Sequence, residues 1–110
     1  MKILIKPLSV NAAWKGRRFK TDAYQSYQTE LLYRLPKLIL PNPPFEALYR
    51  FGLSNTQSDV DNGVKPLMDI LSKKYGFNDK LVMRMVVEKV KVAKGEEFIE
   101  FEFKHYAETY

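Results

Sequence analysis

The stretch DVDNGVKPLMDILSKKYGFNDK, residues 59–80, decides how this chain folds. Val64, Leu67, Met68, Leu71 and Tyr75 recur at helical spacing, which predicts a helix with one buried face. Gly76 stops it, as glycine does just past a helix end. Pro66 fits if the helix starts near Asn62 or Gly63, within the first turn. Upstream, Ala47, Tyr49, Phe51 and Leu53 alternate with Leu48, Arg50 and Gly52, the period of a strand. A polar run from Ser54 to Ser58 joins the two. Downstream, residues 83–92 read as a strand buried on both faces. After a turn at Gly95, Ile99, Phe101 and Phe103 alternate with Glu100, Glu102 and Lys104, giving a last strand with one wet face.

Working outward, residues 1–6 read as a strand ended by Pro7, and residues 7–20 as a loop or loose hairpin around Gly16. A first long helix is capped by Asp22 with Gln25 three residues on. It buries Tyr24, Tyr27, Leu31 and Leu35 and ends before Pro36. Pro41, Pro43 and Pro44 form a stiff connector. The order predicts an α+β or mixed α/β fold, a small mixed β-sheet with two main helices, as one domain over residues 1–110.

A chain of 110 residues supports one core, and small enzymes of this length often complete themselves by dimerising. There is no cysteine, which excludes disulfides, thiolate metal sites and cysteine nucleophiles. The apolar run before Pro7 is too short for a signal peptide or a membrane span, so a soluble, cytoplasmic protein is the expectation. Net charge is +5, placed unevenly. Residues 1–50 hold nine Lys/Arg against three Asp/Glu, and residues 51–110 hold nine against ten. A basic half beside clustered acids suits a polyanion binder that also holds a cation, although ordinary surface lysines give the same balance.

The chemistry-bearing residues lie in the opening stretch. In extended backbone, Asp59 and Asp61 point the same way. Two carboxylates so placed suit a hard divalent ion, yet such a pair also occurs in turns and helix caps. An EF-hand is excluded, because the sixth and twelfth positions from Asp59 are Val64 and Ile70. Asp61, Lys65, Asp69 and Ser72 form a polar stripe at the edge of the apolar face. Lys65 there is either a functional cation or an ordinary salt-bridge partner of Asp61 or Asp69. Asp79 either caps the turn after Gly76-Phe77-Asn78 or returns beside Asp59 and Asp61.

The ordered set Asp59, Asp61, Asn62, Lys65, Asp69, Gly76, Phe77 and Asp79 resembles the core of the RusA-type Holliday junction resolvases. The early run Pro7-Leu8-Ser9-Val10-Asn11, with Trp14 and the basic residues after it, resembles that family's N-terminal stretch. The likeness covers most of the chain, strong over residues 59–80 and weak over 36–58. Asn78 is a departure, since members often carry two adjacent acids there. The resemblance implies a homodimeric endodeoxyribonuclease that cuts four-way DNA junctions symmetrically with Mg2+ or Mn2+. It implies Asp59, Asp61 and Asp79 as metal ligands, with Lys65 as a fourth catalytic residue.

DNA contacts are expected from Asn11, Trp14, Lys15, Arg17, Arg18 and Lys20, with Lys73 and Lys74 in a second line. For Trp14 a place in the core competes with stacking at an unpaired junction. The C-terminal strand and the Tyr-rich first helix are both candidates for the dimer interface. His105 has no partner in the pattern and is given no role. Two other functions fit the same residues: a non-catalytic branched-DNA-binding module, and a metal-dependent nuclease acting on flaps or single strands.

Overall fold

The computed structural model describes residues 1–16, 19–55 and 57–107. Strand β4 (Phe45–Leu53), helix α3 (Val64–Tyr75) and strand β5 (Val82–Lys91) make the expected strand–helix–strand unit. β4 and β5 pair in parallel, with Phe45 opposite Val82 and Leu53 opposite Lys91. Strand β6 (Phe98–His105) pairs antiparallel with the other edge of β4, and β1 (Lys2–Ile3) pairs with β6. The sheet order is therefore β1-β6-β4-β5. The fold is mixed α/β.

Helix α2 (Asp22–Arg34) packs beside α3 on one face of this sheet. Tyr24, Tyr27, Leu31 and Leu35 are buried as their spacing predicts, against Ala47, Tyr49 and Phe51 of β4. Thr21, not Asp22, is the N-cap: its hydroxyl accepts from the Tyr24 N–H, and Asp22 occupies the first turn. α3 begins after Gly63, which places Pro66 in its first turn, and ends at Gly76, whose φ of 68° suits glycine. Ile70 joins its buried face, a position the five-residue pattern omitted. Gly52 is required for space, since a Cβ there would collide with the Phe98 ring.

The segment before Trp14 is not all loop. Val10–Ala13 forms a short helix α1, followed by a hairpin of β2 (Trp14–Lys15) and β3 (Phe19–Lys20). Strand β5 is not buried on both faces. It is the edge of the sheet, and α2 and α3 cover β4 without reaching across it, so most of β5 is exposed. Among the described residues, no helix is long and apolar enough to cross a membrane.

Candidate active site and nucleic-acid face

The Asp59 loop is built by the segment that precedes α1. The Val10 N–H donates to the Asn62 carbonyl at 2.8 Å, and Pro7, Leu8 and Ser9 line a small cleft with Asp59 and Asn62. Lys89 of β5 donates to the Ser58 carbonyl at 2.9 Å and braces the loop from the sheet side. The two segments of the sequence that carry the motif residues thus meet. Between Asp59 and α3 the chain makes two successive turns, with Asn62 N–H on the Asp59 carbonyl and Val64 N–H on the Asp61 carbonyl. The extended backbone expected at Asp59–Asp61 is replaced by these turns, so strand periodicity does not align the two side chains.

The capping explanation of this acid pair fails. Main-chain carbonyls of Asp59 and Asp61 accept the turn hydrogen bonds, and α3 has no side-chain cap. Both residues are exposed, and among the described residues neither carboxylate has a hydrogen bond or ion pair. Among the described residues the exposed Asp79 carboxylate likewise has no hydrogen bond or ion pair. The Asn78 side chain, not Asp79, accepts from the Lys80 N–H at 3.0 Å and caps the short 3-10 turn Asp79–Leu81. The residue that departs from the two-acid pattern thus takes the capping task and leaves the Asp79 carboxylate free.

Asp79 does not return to Asp59 and Asp61 within one chain. Parallel strands start at the same end of a sheet, so Asp79 precedes β5 at the Phe45 end. The Asp59 loop follows β4 at the opposite end. Helix α3, 12 residues long, separates them by roughly 18 Å. Among the described residues no group of three or more His, Asp or Glu is close enough to hold a metal ion. Among the described residues the buried Tyr49 hydroxyl lacks a hydrogen-bond partner. Burial, and then the Asp79 charge, push that hydroxyl's pKa well up.

Lys65 is not the salt-bridge partner of either neighbouring acid. Its ammonium sits over the Trp14 ring, 5.1 Å from the centroid, and the two residues line an open cleft with Asn11, Val10 and Gly16. The Trp14 ring also packs on Tyr24, centroids 5.3 Å apart. Trp14 is therefore half-buried and already engaged, a shelf for Lys65 and not a free wedge.

Asp69 organises the rest of this face. It accepts a hydrogen bond from Tyr24 and pairs with Lys20 at 3.4 Å and Lys73 at 3.3 Å. Burial works to raise the Asp69 pKa, but the Tyr24 hydroxyl and the two ammonium groups outweigh it and hold the carboxyl below its usual range. For Lys20, the adjacent Lys73 and then burial lower the pKa. Lys15 and Asn11 are exposed, while Lys74 donates to the Leu32 carbonyl at 3.4 Å and ties α3 to α2. Arg17 and Arg18 lie outside the described residues.

Asp69→Asn is expected to lower stability at neutral pH by about 1 kcal/mol. A depressed carboxylate pKa contributes stability above its unfolded value and loses it as pH falls through the folded value. The gap between the variant and the parent in urea unfolding should therefore close in acid. A gap that is constant with pH would contradict the charge assignment.

Residues 9–102 match the family described as Endodeoxyribonuclease RusA. The chain belongs to that family. No curated protein matches it. The match runs from Ser9, the cap of α1, into β6, and so includes the Val10–Asn62 contact of the Asp59 loop and the Trp14–Lys65 shelf, while Pro7 and Leu8 precede it. As a RusA-family chain it belongs among endodeoxyribonucleases. Sequence reasoning missed the Tyr24–Asp69 contact, because Tyr24 reads only as a core position. The one available signal was Asp69 at the rim of the apolar face, one turn before Lys73.

Proposed function

We propose that this chain is a divalent-metal-dependent endodeoxyribonuclease that resolves four-way junctions by symmetric nicking as a homodimer. The observation that carries the reading is the pair of unengaged carboxylates, Asp59 and Asp61, one turn before a lysine seated on an aromatic shelf. Side chains left free of internal partners at a hydrogen-bonded turn are suited to an external one.

The donor set fits Mg2+ or Mn2+, which take carboxylate oxygens with waters and substrate phosphate. Asp59 and Asp61 of one subunit would hold the ion, and Asp79, which lies at the far end of α3 within one chain, would come from the other subunit. When bound, the metal supplies an activated water and neutralises charge at the phosphodiester. Lys65 places an ammonium where charge develops on the phosphate, and Trp14 restricts where that ammonium sits. Lys20 and Lys73 carry two positive charges against the single one of Asp69, a net cationic surface for the flanking DNA backbone. Asn11 and Lys15 extend it along the hairpin. Such an enzyme works where DNA is accessible, in the cytoplasm of a bacterial cell or a phage-infected host.

A synthetic four-way junction incubated with protein and Mg2+ or Mn2+ tests this directly. Paired symmetric nicks, with linear duplex spared and chelator abolishing the cut, are expected. Binding without cutting in either metal would make the chain a non-catalytic junction binder. Preference for flaps or single strands would make it a different phosphodiesterase.

A further inference from the structure

We propose that the free edge of β5 is the surface on which a second copy of this chain docks, antiparallel, with the two-fold axis at Val86. The inference rests on the dimeric reading above and adds to it the strand, the register and the pairs that set them. β5 is a 10-residue strand paired on one side only. The other sheet edge, β1, has two residues and offers no comparable ladder. β6, one of the interface candidates from sequence, is paired with β4 along its length and with β1 at Ile99 and Glu100, which leaves a shorter open edge than that of β5.

Three of the exposed large apolar residues stand on this strand, while others, among them Leu4, Tyr33 and Ile39, lie elsewhere. Met83, Met85 and Val86 are 56%, 48% and 41% exposed. Met85 stands opposite Ala47, which is fully buried, so it lies on the helix-covered face yet beyond the helices' reach. A long edge strand with exposed methionines and valine is an invitation to strand pairing unless something selects the partner.

The sequence of β5 selects itself. Opposed residues of an antiparallel pair share a face, so a two-fold axis must pass through a residue. With the axis at Val86, Arg84 stands opposite the partner's Glu88, twice, and Met85 opposite the partner's Val87. An axis at Met85 puts Arg84 opposite valine, as does one at Val87. An axis at Glu88 stacks two glutamates. Within one chain, Arg84 pairs with Glu46 at 3.7 Å and Glu88 with Arg50 at 3.7 Å, both long and solvent-exposed contacts of little worth.

This register also places Asp79. In the antiparallel pair, the start of one β5 lies beside the end of the other, where the partner's Lys89 reaches back to the Asp59 loop. Met83, four residues after Asp79, stands opposite the partner's Lys89. Asp79 then lies about two strand spacings, on the order of 10 Å, from the partner's β4 end. The separation imposed by α3 within one chain is thus bypassed across the interface.

Sedimentation of the full chain tests the register without reference to cleavage. The parent should be a dimer, and Arg84→Glu or Glu88→Arg alone should raise its dissociation constant by more than about tenfold. The double variant Arg84→Glu/Glu88→Arg should restore it, which a merely misfolded single variant would not predict. In the cysteine-free background, Val86→Cys should crosslink through a short bis-maleimide into covalent dimers. A parent dimer that ignores both single variants and does not crosslink at position 86 overturns this interface and leaves the cleavage reading standing. A monomeric parent overturns the interface and the dimeric reading together. Dimers without any nuclease activity would leave the interface and remove the activity.

Discussion

Asp61→Asn, and separately Asp59→Asn, should reduce junction nicking by about a thousandfold or more, with junction binding close to the parent's. The expectation follows from how little else these side chains do. Neither caps α3, neither is buried, and among the described residues neither makes an ion pair. The turn is held by their main-chain carbonyls, which asparagine retains. The change therefore removes charge at the loop and leaves the fold intact, so the loss should fall on the chemical step. Nicking rates at saturating protein separate the two effects from gel-shift affinity. Cleavage by either variant within a few fold of the parent would contradict the assignment.

The next largest effect should come from Lys65→Ala, about a hundredfold in the nicking rate with a small change in binding. Among the described residues Lys65 pairs with no carboxylate, and its ammonium contacts the Trp14 ring. Contacts of that kind contribute about 0.5–1 kcal/mol at exposed sites. The fold should therefore tolerate the loss, while the charge near the reacting phosphate cannot be replaced from nearby, because Lys20 and Lys73 are committed to Asp69. Arginine at this position retains charge but carries a larger, planar group over Trp14, and it should recover only part of the rate. Equal losses in rate and affinity for Lys65→Ala would make Lys65 a binding residue.

Much of this was legible in the sequence because it depends on period and punctuation. The helix from Val64 to Tyr75 follows from apolar spacing and Gly76, and the alternation of Ala47, Tyr49 and Phe51 marks the buried face of β4. The order of acids around Lys65 identifies the family that the match over residues 9–102 shows. What was misread depends on neighbours that sequence does not display. The mixed apolar pattern of β5 suits a doubly covered strand as well as an edge strand with exposed Met83 and Met85. The local pattern records apolar character and not which helix lies above. Asp79 illustrates the same point. Its spacing from Asp61 is a fact of the chain, but whether it returns depends on β5 running parallel to β4, a long-range choice. Asp22 was displaced as cap by Thr21, a one-residue shift within the usual ambiguity of helix ends.

Mixed inactive variants test most directly whether the metal site is shared between subunits. Asp61→Asn and Asp79→Asn proteins, carrying different tags, are co-refolded and the doubly tagged dimer is isolated. If Asp79 serves the partner's Asp59 and Asp61, one site in this dimer carries both substitutions and the other carries none. The mixed dimer should then nick one strand of the four-way junction at close to the parent's per-site rate, while each parental variant dimer stays inactive. A doubly tagged dimer that binds the junction and nicks neither strand would contradict the shared site.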